Sequence, residues 1–90
     1  MLVQPKANLF YIAIFAPNYK NKLSYGGYVK SLSCVNEKGP FDLLPMHENF
    51  ATVVLGNVII VDEFDKRVEI PLQKAVLDVS NNVAKLFVDY

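Results

Sequence analysis

His47 is the only histidine in the chain and Cys34 the only cysteine. An imidazole at neutral pH can act as a general base, and a deprotonated thiol is a strong nucleophile. Glu48 follows the histidine directly and Asp42 precedes it, so a carboxylate is at hand to orient the ring. Together Cys34, Asp42, His47 and Glu48 supply the parts of a nucleophilic relay. Such a relay also needs a pocket and an oxyanion site, and a chain of 90 residues offers little room for either. We therefore read His47 as a loop residue packed or hydrogen-bonded beside Pro45. Cys34 alternates with Leu32 on an apolar strand face and reads as a small core residue. No catalytic residue is assigned.

Two further groups suggest binding. Asp62, Glu63 and Asp65 could offer oxygens to calcium, but their spacing is unlike an EF-hand loop, and charged hairpin tips are common. They read as a solvated turn, and no metal or cofactor is expected. Tyr11, Phe15, Tyr25 and Tyr28 could stack the bases of a single strand, as in oligonucleotide-binding barrels. Nucleic-acid binding usually carries a basic excess, because counterion release supplies much of its affinity. Nine basic residues balance nine acidic ones here, so no nucleic-acid partner is expected.

Several further bounds follow from composition. A chain of this length has room for one domain, residues 1–90, whose core must be dense. Hydrophobic residues make up 52% of it, which meets that demand. One cysteine allows no internal disulfide and points to a reducing compartment. The apolar stretch from Leu9 to Ala16 has no basic region before it and is too short to span a bilayer. The chain reads as soluble and cytoplasmic, with no direct membrane insertion.

The elements that must position these residues read as strands from end to end. Leu9 to Ala16 is continuously apolar, rich in aromatic and β-branched residues, and stops at Pro17–Asn18. Asn18 to Lys22 is a polar loop, Leu23 to Tyr25 a short strand, and Gly26–Gly27 a bulge, turn or close approach. Tyr28 to Val35 alternates, with Lys30, Leu32 and Cys34 on one face. A turn at Asn36 to Pro40 leads to Phe41–Leu44, then a loop through Pro45 and His47. Phe50–Leu55 and Asn57–Val61 are two strands, or one bent strand, broken at Gly56. Asp62 to Asp65 turns the chain back into a strand in which Val68, Ile70 and Leu72 share a face. The residues from Leu72 to Leu77 leave room for one helical turn. Ala75–Val79 and Val83–Asp89 close a hairpin around Asn81–Asn82, residues that tolerate positive φ. The sum is an all-β fold, a flattened antiparallel β-sandwich or barrel of about ten short strands.

In that order, the text Leu23-Ser24-Tyr25-Gly26-Gly27-Tyr28-Val29, then Gly39-Pro40-Phe41-Asp42-Leu43-Leu44-Pro45-Met46-His47-Glu48-Asn49-Phe50, resembles the N-terminal domain of the ATP synthase epsilon subunit. That subunit is called delta in mitochondria. The family pattern at the second stretch is Gly-x-Phe/Leu-Gly-Ile/Leu-Leu-Pro-Gly-His. The closing strand resembles the family's as well, with Asp89 where its aspartate stands, so the likeness runs from about Asn8 to Tyr90. Three places depart from the pattern. Asp42 and Met46 stand where the family has glycine, and Leu72-Gln73-Lys74-Ala75 replaces a Ser-Gly-Gly turn. At each, the backbone either gives up positive φ or adopts it at a cost of ~1 kcal/mol or more. Family members commonly continue into two C-terminal helices, a helical hairpin that can inhibit ATP hydrolysis. Residues 1–90 do not include that text, whether because the chain is a piece of a longer one or a naturally short subunit, so that inhibition is not expected from these residues.

The resemblance implies a non-catalytic rotor subunit of a proton-translocating F-type ATP synthase. It would clamp the gamma subunit to the membrane c-ring, as part of a complex at the cytoplasmic face of the cell membrane. By family position the ring-facing loop would comprise Phe41, Leu44, Pro45, Met46, His47 and Glu48. A free-standing β-sandwich adaptor is the alternative from another class.

Overall fold

The computed structural model describes residues 8–16 and 22–88. Eight strands are present among them: β1 (Phe10–Ala16), β2 (Lys22–Asn36), β3 (Gly39–Leu43), β4 (Phe50–Leu55), β5 (Val58–Asp62), β6 (Arg67–Ile70), β7 (Lys74–Ser80) and β8 (Val83–Val88). They form one curled sheet in the order β4-β7-β8-β1-β2-β5-β6, with β3 paired to β2. None of the described residues is helical.

Alternation explains which faces meet. In β7 Ala75, Leu77 and Val79 point inward and the residues between them outward; β8 repeats this with Ala84, Leu86 and Val88. Leu77 pairs with Leu86 across that hairpin, and both are fully buried. From the other side of the curl come Leu32, Leu43 and Ile60, so that one apolar cluster fills the interior. β2 makes the curl possible. Its first half pairs with β1, and its second half pairs with β5 and β3, so one strand serves both layers.

Several expectations are corrected. Among the described residues eight strands are present beside the about ten expected for the chain, partly because Leu23–Tyr25 and Tyr28–Val35 join within β2. The Gly26–Gly27 pair sits in register opposite Ala13 and Ile12; the bulge falls beside it, where the register shifts between Ile14 and Phe15. A second shift, between Val29 and Ser31, changes the parity of β2. It places Val29 in the core with Leu32 and Cys34, while Lys30 turns outward to pair with Asp65 at 2.6 Å. The sheet is also not wholly antiparallel, because β1 runs parallel to β8. That placement puts β1 between two neighbours in the middle of the sheet, which explains its near-continuous apolar text. Residues 72–77 hold no helical turn: Lys74 onward is β7. Asn18–Asn21 and Asp89 lie outside the described residues.

The hairpins follow their sequence cues. Asn81 and Asn82 adopt φ of 53° and 63° between β7 and β8, the left-handed pair that a two-residue hairpin loop requires. At the β5–β6 turn Asp62 Oδ1 accepts hydrogen bonds from the Phe64 and Lys66 amides, both at 2.9 Å. Gly56, at φ 76°, ends β4 and sends the chain across to β5.

Candidate functional site

The loop from Leu44 to Asn49 joins β3 to β4. Leu43, the last residue of β3, is buried and anchors its near end, and Phe50 packs on the core at its far end. Between them Leu44 is 55% exposed and Met46 77% exposed, with Pro45 partly covered. Met46 has φ 63°, so the chain keeps the left-handed turn at the position where the resemblance has glycine. Asp42 resolves the other way. It lies in extended backbone within β3, opposite Ser33, and needs no glycine. The Leu72–Ala75 replacement likewise takes no positive φ; the Leu72 amide donates to Asn57 Oδ1 at 3.2 Å.

Asn82 holds this loop in place. Its Oδ1 accepts from the Met46 amide at 2.8 Å, and its Nδ2 donates to the Leu9 carbonyl at 2.9 Å. The Asn82 carbonyl accepts from the Tyr11 amide at 3.2 Å. Next to it, the Asn81 amide donates to Asn49 Oδ1 at 3.0 Å. The β7–β8 turn thus ties together the 44–49 loop and the entry to β1. Sequence reasoning gave Asn82 a turn role only; a side chain in the left-handed region with amide donors and acceptors to spare is the signal that was available.

His47 is exposed. Its Nδ1–H donates to the Glu48 carbonyl at 3.1 Å, and its ring lies 5.0 Å from that of Phe50. Phe50 in turn meets Phe41 edge-on at 6.2 Å. The ring was expected to pack or hydrogen-bond beside Pro45; its bond goes to the Glu48 carbonyl and its packing partner is Phe50. Cys34 is 3% exposed, and burial, with the nearby charge of Asp42, pushes its thiol up to about 12. Both influences oppose thiolate formation. Among the described residues no hydrogen bond joins Cys34, Asp42, His47 and the Glu48 carboxylate into a relay. Nor do any three His, Cys, Asp or Glu residues gather to hold a metal.

The aromatic set divides between faces. Tyr11 and Tyr28 meet edge-on at 5.4 Å, and Phe15 stacks on Phe87 at 5.3 Å. Tyr25 packs against the core instead, and burial, with Asp62 nearby, raises its hydroxyl pKa. The four therefore do not make one platform. A different surface emerges from the register. Val53 stands opposite Val76, Val76 opposite Phe87 and Phe87 opposite Phe15, an apolar row crossing β4, β7, β8 and β1 on the outer face. Val53, Val76 and Phe87 are 42%, 45% and 44% exposed. In the next row Asp78 faces Lys85. Sequence reading missed this row, because it exists only once non-consecutive strands are placed side by side.

Such an architecture, a curled all-β sheet around one core with a pinned apolar loop, belongs to the β-sandwich and barrel class. No protein-family model matches the chain, and no curated protein does. Solved structures do match, 31 chains of them. One is a chain of the mitochondrial ATP synthase of Euglena gracilis, seen in a cryo-EM structure of OSCP, F1 and c-ring in a rotational state. The TM-score is 0.80 at 11% identity, over 94% of this chain and 53% of that one. The two share a fold, and this chain spans about half the length of its counterpart. No helix among the described residues is long and apolar enough to cross a membrane.

Proposed function

We propose that the chain is a non-catalytic rotor subunit of a proton-translocating F-type ATP synthase, joining the gamma subunit to the membrane c-ring. The observation that carries this reading is the fold likeness over 94% of the chain to a chain of an ATP synthase assembly. The loop geometry supports it. Leu44 and Met46 are apolar and exposed, and the Asn82 side chain pins the Met46 amide, so docking there would cost little ordering entropy. We assign Phe41, Leu44, Pro45, Met46, His47 and Glu48 to the ring-facing side. Leu44 and Met46 supply buried contact, and Phe41 supports the loop from behind through Phe50. The mechanism is mechanical: interface area transmits torque, and this chain makes and breaks no bond. Its place would be peripheral, at the cytoplasmic face of the cell membrane.

Co-expression with the gamma subunit of the same organism, followed by sizing, tests the proposal. A one-to-one complex that survives moderate salt is expected. Leu44→Asp and Met46→Asp should then weaken capture of that complex on purified c-ring by about tenfold or more, while leaving gamma binding intact. A chain that elutes alone beside folded gamma subunit overturns the rotor reading in favour of a free-standing adaptor.

A further inference from the structure

The sequence carries sulfur at Met1, Cys34 and Met46. The fold treats the last two in opposite ways. Cys34 is buried, and burial with the nearby charge of Asp42 keeps its thiol protonated. A covered, protonated thiol reacts slowly with oxidants. Met46 is exposed over most of its surface, in the 44–49 loop. A thioether keeps its lone pairs at every pH, so access governs its oxidation.

The backbone holds that sulfur in the open. Met46 takes φ 63°, and its amide donates to Asn82 Oδ1 at 2.8 Å. Leu44, His47 and Glu48 around it are exposed as well. The Asn82 bond has a second effect. A sulfoxide oxygen is a strong hydrogen-bond acceptor, and the amide of its own residue is already engaged. The new dipole is therefore left to solvent, or to whatever covers the loop. Met46 also stands where the resemblance has glycine, so this sulfur belongs to the text of this chain and not to the family pattern.

We propose that Met46 is an oxidative modification site of the folded chain, where a hydroperoxide converts the thioether to a sulfoxide and turns an apolar loop polar. A sulfur lone pair attacks one peroxide oxygen. The S–O bond forms as the O–O bond breaks, the sulfur gives up two electrons, and the displaced oxygen leaves as water, or as alcohol from an organic peroxide. No buried group changes, so the fold is kept. Under a partner surface the sulfoxide oxygen has to shed its water while the Met46 amide stays with Asn82, which lowers affinity. Oxidation and docking thus compete for one side chain: a docked loop shields the sulfur, and an oxidised loop docks weakly. That consequence rests on the rotor reading; the modification itself does not.

The probe is hydrogen peroxide, applied to the full chain folded and in urea, with intact mass and peptide mapping to separate Met46 from Met1. One oxygen should appear at Met46 in the folded chain at a rate within about twofold of that in urea, with Cys34 unmodified until the chain unfolds. The oxidised chain should keep its urea midpoint, and methionine sulfoxide reductases should remove the oxygen. In complex with the gamma subunit, the oxidised chain should be captured on purified c-ring about tenfold less well, and recover after reductase treatment. Met46→Gln, polar and of similar length, should weaken capture without oxidant. Met46→Leu, whatever its own level of capture, should not respond to peroxide. The proposal is overturned if Met46 reacts more than about tenfold slower in the folded chain than in urea. A lowered urea midpoint after oxidation, or equal capture of the oxidised and reduced chains, overturns it as well. Failure of the untreated chain to bind the gamma subunit or the c-ring overturns the rotor reading instead, and the mass and urea measurements still decide the modification.

Discussion

Burial of Cys34 has a consequence measurable in the unfolding of the whole chain. Its thiol titrates near 9.0 when exposed and is pushed up to about 12 in the fold. Between those values the folded state keeps a proton that the unfolded state releases. This contribution to stability is therefore full below about pH 9, falls as pH rises, and is gone above about 12. Urea unfolding of wild type and Cys34→Ala at about pH 8 and about pH 10 should show the wild type losing more on the way up. At neutral pH the thiol should resist modification until urea unfolds the chain. Met46 makes the opposite case, a residue that carries strain. At φ 63° its side chain costs about 1 kcal/mol or more relative to glycine. Met46→Gly should hold or raise the urea midpoint by up to about 1 kcal/mol in stability, while removing an exposed apolar contact from the loop. The sequence showed the missing glycine; only the backbone shows that the turn survived without it.

At the level of elements, the β7–β8 hairpin does more than reverse the chain. Asn82→Ala leaves a non-glycine residue at φ 63° and removes the side-chain bonds to Met46 and Leu9. It should destabilise by about 1–3 kcal/mol. The added signature is faster amide exchange at Met46, which loss of the hairpin turn alone would not single out. Asn82→Gly relieves the backbone and loses the same bonds, so it should recover part of the stability and none of the protection. Much of the element order was legible, because alternation in β7 and turn residues at 36–40, 62–65 and 81–82 act locally. What was not legible is non-local. The parallel pairing of β1 with β8, the parity change in β2 and the apolar row from Val53 to Phe15 depend on strands far apart in sequence. A bulge inverts every expected face beyond it, which is why Lys30 was placed with Leu32 and Cys34.

For the molecule as a whole, the fold likeness and the candidate site bear different weights. Strand alternation and turn spacing led to an all-β sandwich or barrel, and the structure has one, with the same fold as a chain of an ATP synthase at 11% identity. The relay of Cys34, Asp42 and His47 was set aside from length and composition. The geometry adds a buried, protonated thiol and an imidazole held by a neighbouring carbonyl. Among the described residues the surface carries a pinned loop with Leu44 and Met46 and an apolar row on the outer face. The rotor reading is tested most directly in the source organism, by purifying intact ATP synthase through its catalytic head. Quantitative mass spectrometry and cross-linking would then locate this chain. The account expects one copy per complex, with cross-links to the gamma subunit and to the c-ring. An active, complete synthase that contains none of this chain would contradict it.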